Sequence, residues 1–251
     1  MNGAVRERRP LTANCDTTRF DVPLYTVAEA ARLVGVHPST LASWARGYVR
    51  PGRGGRERVT GEPVITHLPT ERAEPSIPFV GLAEALVLAA IRRSGVSLQR
   101  IRPALKELQE RIGVDHALAS QRLYTDGAEL LFDFGESRRD TSEGRVALDL
   151  VVVRSGQRVF AEVIGDYLRR IEYGPDGYAA LIHVPVYEHA DVVADPTRAF
   201  GAAIFERGGA RIEDVMHRFW AGESLSELSD EFGVPVDQIE DVVRVASRRA
   251  A

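Results

Sequence analysis

The stretch Thr26–Arg46, TVAEAARLVGVHPSTLASWAR, leaves the chain few ways to fold. Thr26 followed by Glu29 has the spacing of a capping box, so a helix starts there. Gly35 supplies the positive φ that ends a helix in a sharp corner. Pro38 suits the first turn of a second helix, where a missing N–H costs nothing. Ala31 is small where two helices must approach closely, and Leu41 and Trp44, three apart, bury one face of the second helix. The result is a helix–turn–helix. Ser39, Thr40, Ser43 and Arg46 remain outward: short hydrogen-bonding groups and one cation, the kind of surface that enters a major groove. A plain pair of packed helices inside a helical core would share this corner.

The residues that follow strengthen the nucleic-acid reading. Arg46, Arg50, Arg53, Arg56 and Arg58 fall in a glycine-rich run, RGYVRPGRGGRERV. Arg56–Val59 and Val64–Thr66 are expected to pair as a hairpin across Gly61, making a basic wing that grips phosphate. The candidate DNA-binding residues are therefore Ser39, Thr40, Ser43, Arg46, Arg50, Arg53, Arg56 and Arg58.

Charge divides the chain. Its formal net charge is −4. Residues 1–58 hold ten arginines against five acids, whereas residues 206–241 hold three arginines against ten acids. A basic front and an acidic back imply two partners, a polyanion and a basic protein. The 251 residues suffice for two or three cores. One cysteine, Cys15, excludes a disulfide framework within one chain and a multi-cysteine metal site. No apolar run reaches the ~18–20 residues that span a bilayer, and the N-terminus lacks the apolar core of a signal peptide. A cytoplasmic location is expected, with no membrane association.

Taken in order, the chain is α+β. Residues 1–22 read as a flexible arm, with Arg6, Arg8 and Arg9 either solvated or touching DNA. Residues 23–112 hold the winged helix–turn–helix, a proline-stiffened connection over 69–78, a largely buried helix over 79–94, and a helix opened by Ser97 and stopped by Gly113. Residues 113–190 read as a small antiparallel α+β unit. There a hairpin is expected around Asp126-Gly127, joining 122–125 to 129–134. A charged loop over 135–144, a strand over 146–154, a helix over 159–167 and a second hairpin around Gly174-Pro175-Asp176-Gly177 complete it. Residues 191–251 read as helical. Their helix–turn–helix repeats the first: Ser229, Gly233, Ile239 and Val242 stand at the offsets of Ala31, Gly35, Leu41 and Trp44. Its outward residues, Asp237, Gln238, Glu240 and Asp241, would repel phosphate. Glu223, Asp237, Glu240 and Asp241 are the candidate partner-binding residues.

Two resemblances follow. AIRRSGVSLQRIRPAL, behind TVAEAARLVGVHPSTLASWAR, resembles the helices that follow the wing in MerR-type regulators, over about residues 24–112. Here the aromatic-rich segment usual after the recognition helix is reduced to Tyr48, and no long coiled-coil helix follows. The tail, with Asp195-Pro196, Gly209-Ala210-Arg211-Ile212, Gly222 and Ser224–Val243, resembles the DUF-433 type of bacterial domain found in antitoxins. A MerR-like front joined to this tail is similar to VapB-family antitoxins. The resemblance implies that the chain binds its own operator as a repressor and neutralises a VapC-like ribonuclease of PIN type; one such module makes few contacts, so two half-sites and a homodimer are expected. The alternative is a MerR-like transcription factor that senses a small molecule in its central unit, with no toxin partner; a third reading is a scaffold whose two corners both serve protein contacts.

Catalysis is not expected. The chain has no HExxH, GxSxG, GxxxxGK[ST] or CxxC pattern. His183 and His189 lack a carboxylate at ligand spacing, so no metal or other cofactor is expected.

Overall fold

The computed structural model describes residues 17–50, 58–71, 74–154 and 157–250. The first corner forms as its caps dictate. Helices α2 (Val27–Val34) and α3 (Pro38–Arg46) meet at Gly35, whose φ is 74°. The Glu29 N–H donates to Thr26 Oγ1 at 3.2 Å and the Thr26 N–H to Glu29 Oε2 at 2.8 Å, closing the capping box. Ala31, Leu41 and Trp44 are buried.

The wing is built differently from the expected hairpin. Strand β1 (Tyr48–Arg50) pairs antiparallel with β2 (Val59–Gly61), Tyr48 facing Gly61. Gly61 is thus a strand end, not a turn. A Cβ there would lie 2.4 Å from Tyr48 Cε1, so glycine lets the tyrosine ring lie over it. Among the described residues, 64–66 do not pair with 58 and 59. The Val64 and Ile65 N–H groups donate to Trp44 O at 2.8 and 3.3 Å, satisfying a carbonyl at the end of α3. Arg53 and Arg56 lie outside the described residues.

The last residues of the expected arm, 17–21, are structured. Residues Thr17–Asp21 form helix α1, fixed to the body: Arg19 is buried, donates to Ala179 O at 3.1 Å and pairs with Asp176. Arg6, Arg8, Arg9 and Cys15 lie outside the described residues.

Helix α4 (Phe79–Arg93) is the central post. Every residue from Phe79 to Ile91 is buried. Even Glu84 is inside, where it accepts from the Thr66 N–H and faces His116 at 3.5 Å. Helix α5 (Leu98–Ile112) ends at Gly113, φ 67°.

The middle of the chain corrects the sequence reading most. Residues 122–134 form no hairpin: Gln121–Ser137 is one helix, α6. Gly127 is a packing notch in it. A Cβ there would meet Phe160 Cζ at 2.9 Å and Leu123 Cδ1 at 3.0 Å. Leu123, Gly127, Leu131 and Phe134 are buried at helical spacing. The expected loop over 135–144 is the end of α6 and the start of α7 (Ser142–Asp149), capped by Thr141, which accepts from the Gly144 N–H at 3.0 Å. The next strand is confined to β3 (Val151–Arg154), paired with β4 (Gln157–Phe160), and helix α8 covers Glu162–Leu168.

The second expected hairpin forms, as β5 (Ile171–Tyr173) and β6 (Ala179–His183). The segment after 190, read as helical, first adds two more strands, β7 (Val192–Ala194) and β8 (Ala203–Phe205). All four are antiparallel in the order β5-β6-β7-β8. Helices α9 (Ile212–Trp220), α10 (Leu225–Phe232) and α11 (Val236–Ala250) follow. One apolar cluster runs from Tyr25 to Val245 and joins the helices to the four-stranded sheet. The mixed helical and antiparallel content is α+β, as the sequence indicates.

Between β7 and β8 the backbone is strained. Ala199 and Phe200 hold φ of 47° and 53°, and Gly201 follows at 77°. Left-handed backbone costs a residue other than glycine about 1–2 kcal/mol.

Candidate nucleic-acid interface

The outward face of α3 opens on a groove of about 490 Å³. Ser39, Thr40 and Ser43 form one wall, and Arg92, Gln99 and Arg102, from the α4–α5 corner, form the other. Each serine is held in place. The Ser39 N–H donates to His37 Nδ1 at 3.2 Å, so His37 caps α3. The Ser43 hydroxyl donates back to Ser39 O at 2.9 Å. That bond uses the Ser43 proton and leaves its acceptor lone pairs outward, suited to an amino group on a base edge.

Gly47 closes α3 at φ 69°. A Cβ there would sit 2.4 Å from Gly61 O, so only glycine lets β2 pass this close to the helix end. The wing is further seated by Arg102, which donates to Glu62 O and lies over the Tyr48 ring at 5.7 Å.

The predicted residues are only partly brought together. Ser39, Thr40 and Ser43 share the groove. Arg46, last in α3, is exposed, and so is Arg58, just before β2. Arg50 ends β1 opposite Val59, so positions 50 and 58 both stand at the outer end of the described hairpin. Sequence reasoning missed Arg92, Gln99 and Arg102 as members of the same surface. A signal was present: RRSGVSLQRIR places Arg92 and Arg102 on either side of a glycine turn. Ser97 sits at the N-cap of α5 without a side-chain cap bond, so the positive end of that helix opens toward the groove uncapped. An anion entering here would meet Arg92, Arg102 and a helix N-terminus on one side and the hydroxyls of α3 on the other.

The acidic candidates near the C-terminus divide as well. Asp237 and Glu240 are exposed on α11. Glu223 is engaged within the chain: with Glu231 it clasps Arg218, whose pKa is pushed up by those bonds, Glu231 first. Asp241, expected outward, is buried. Its Oδ2 accepts the backbone N–H groups of Glu188 and His189 at 2.9 Å and of Ala190 at 3.1 Å. Burial alone would raise this carboxyl, but the three donors outweigh it and hold it below its ordinary value. A side chain committed to a loop in this way is not a surface for another protein.

Among the described residues no group of three or more His, Cys, Asp and Glu could hold a metal ion. His183 instead contacts Glu172 at 2.8 Å. No helix among them is long and apolar enough to cross a membrane.

Comparison with known proteins agrees with this geometry. Residues 23–105 match a family model described as "Putative DNA-binding HTH domain". The chain is 46% identical over 227 residues to "Putative antitoxin VapB45" of Mycobacterium tuberculosis, covering 90% of this chain and 94% of that protein. It is 27% identical over 238 residues to the uncharacterized protein Rv2308 of the same organism, covering 90% and 91%. The crystal structure of Rv2018 from Mycobacterium tuberculosis superposes with a TM-score of 0.78 at 44% identity, over 90% of this chain and 99% of that one.

Proposed function

Because the chain belongs to the VapB45 family, we propose that it is the antitoxin of a type II toxin–antitoxin pair, acting in the cytoplasm as an autorepressor and as the inhibitor of a VapC-like ribonuclease of PIN type. The observation that carries the DNA half is the groove in which Ser39, Thr40 and Ser43 face Arg92 and Arg102. Helix α3 enters the major groove. Its hydroxyls reach base edges, Arg46 reads a guanine or holds phosphate, and Arg50, Arg58, Arg92 and Arg102 hold the backbone. One such module makes few contacts, so two copies on two half-sites are needed.

The toxin half rests on charge. A ribonuclease must present a basic surface to RNA, and an acidic partner competes for it. Asp237 and Glu240, together with the exposed Glu227 and Asp230 of α10, supply that acid; Asp241 does not.

Two measurements test the reading. The purified chain should retard the duplex taken from upstream of its own reading frame, with binding that weakens steeply as salt rises. Absence of a shift at low salt overturns the repressor role. Co-expression with the product of the adjacent reading frame should yield a co-purifying complex and suppress that product's RNA cleavage. Cleavage that continues unchanged overturns the antitoxin role.

A further inference from the structure

A second groove, of about 670 Å³, lies between α2 and the C-terminal helices. It is lined by Leu33, Met216, Val242 and Val245, and its lining includes two aromatic residues that protrude. Phe200 is 85% exposed and Trp220 is 67% exposed. Phe200 does not sit on a loose loop. The strained turn at 199–201 is tied from beneath by the buried Tyr25, whose hydroxyl donates to Gly201 O at 2.7 Å. Large apolar side chains held out in this way mark a contact surface.

We propose that this groove is where a second copy of the chain docks, Phe200 of each copy entering the groove of the other about a twofold axis. Two features select a second copy over another occupant. A twofold contact needs the projecting and the receiving parts on one patch, and here both are on it. The exposed charges of the lining are Glu29, Arg32, Arg211 and Glu213, two of each sign. A second copy therefore meets no net repulsion. A basic protein would be drawn instead to the acidic outer faces of α10 and α11. The inference rests on the operator reading only in that two half-sites call for two copies.

Sedimentation equilibrium of the full chain, without DNA, tests it. The wild-type chain should form a reversible dimer. Phe200→Gly removes the ring at a position whose left-handed backbone glycine adopts freely. It should raise the dimer dissociation constant at least ~tenfold while the folded monomer, relieved of left-handed strain, unfolds at no lower denaturant concentration than wild type. Trp220→Glu, at an exposed site, should raise the dissociation constant likewise. A wild-type chain that stays monomeric, or a dimer untouched by both substitutions, overturns the proposal. So does a dimer that persists in Phe200→Gly while the co-purifying toxin is lost, which would give the groove to the toxin. Retardation of the upstream duplex is read in parallel. A dimer weakened by Phe200→Gly with no retardation by any chain leaves the interface standing and removes the operator reading. Equal retardation by wild-type and Phe200→Gly chains with no dimer does the reverse.

Discussion

The α2–α3 and α10–α11 corners are one device built twice. Thr26 with Glu29 and Ser224 with Glu227 close the same capping box. Gly35 and Gly233, 198 residues apart, turn the chain at φ of 74° and 64°. The difference lies in what meets the second helix. Thr40 and Ser43 of α3 line an open polar groove. Their counterparts at the same offset, Gln238 and Asp241, hold the 188–191 loop: Asp241 takes three N–H groups, and Gln238 exchanges two bonds of 3.3 Å with Asp191. One reading face is left for a ligand and the other is spent on the chain itself. A helix–turn–helix is thus a packing solution first, and the neighbours decide whether its face is free to bind.

The sharpest way to break this comparison is to delete matching side chains. Asp241→Ala strands three N–H groups, that of Ala190 buried and those of Glu188 and His189 partly so, and should cost about 2 kcal/mol of stability, seen as a lowered denaturant midpoint. Ser43→Ala should stay within about 0.5 kcal/mol, because it removes one exposed hydroxyl, yet it should weaken operator binding. Similar stability losses for the two would mean that the corners are not used differently.

The next contrast is between Arg46 and its counterpart Arg244. Arg46→Ala should lower operator affinity by about 1–2 kcal/mol and, if it holds phosphate, flatten the salt slope by about one unit. Arg244, which pairs with Glu240 at 2.8 Å, should leave affinity and slope unchanged when replaced by alanine. Mobility shifts across a salt series measure both.

Acidity should separate the two halves of the molecule in opposite directions. The Asp241 carboxyl is lowered in the folded chain. Its contribution is present above the ordinary carboxylate value of about 3.9 and is lost as pH falls through the lowered one. His116, beside the first corner's support, is raised, chiefly by its hydrogen bond to Glu84 and against the pull of burial. Its contribution is complete below the ordinary histidine value of about 6.5 and is lost as pH rises through the raised one. In a pH series of thermal melts, Asp241→Asn should flatten the acid limb and leave the neutral limb alone.

The smallest effects belong to the caps. Thr26→Ala and Ser224→Ala should each cost about 1 kcal/mol, and by similar amounts, since the two boxes have the same geometry. Calorimetry that found one far costlier would show that the corners differ in their local construction as well as in their surroundings.

The corners were legible because their signals are short-range. A hydroxyl three residues before a glutamate, a glycine needing positive φ and a proline at a helix start act within a single turn. Asp126-Gly127 misled for the same reason: the pair has the form of a hairpin turn. Only Phe160, brought in from another element, shows that Gly127 is small to admit a ring within a helix. The wing misled similarly. Gly61 has the form of a turn residue, but it is the seat for the Tyr48 ring. In the groove beside α3, the hydroxyls of that helix could be read from helical spacing. The sequence marked Arg92 and Arg102 only as cations around a glycine turn; their place opposite α3 depends on how α4 and α5 pack.

The amino-acid order alone determined that two helix–turn–helix corners exist, where each begins and bends, and that the front is cationic and the back anionic. Those properties are set by backbone sterics and hydrogen bonds between residues a few positions apart, and by composition. Tertiary structure alone decided that the Asp241 carboxylate faces inward while the first corner stays open, and that β1 takes β2 as its partner. Those outcomes depend on contacts between segments distant in sequence, such as Asp241 with residues 188–190, and a helical repeat states which residues share a face without stating what will cover it.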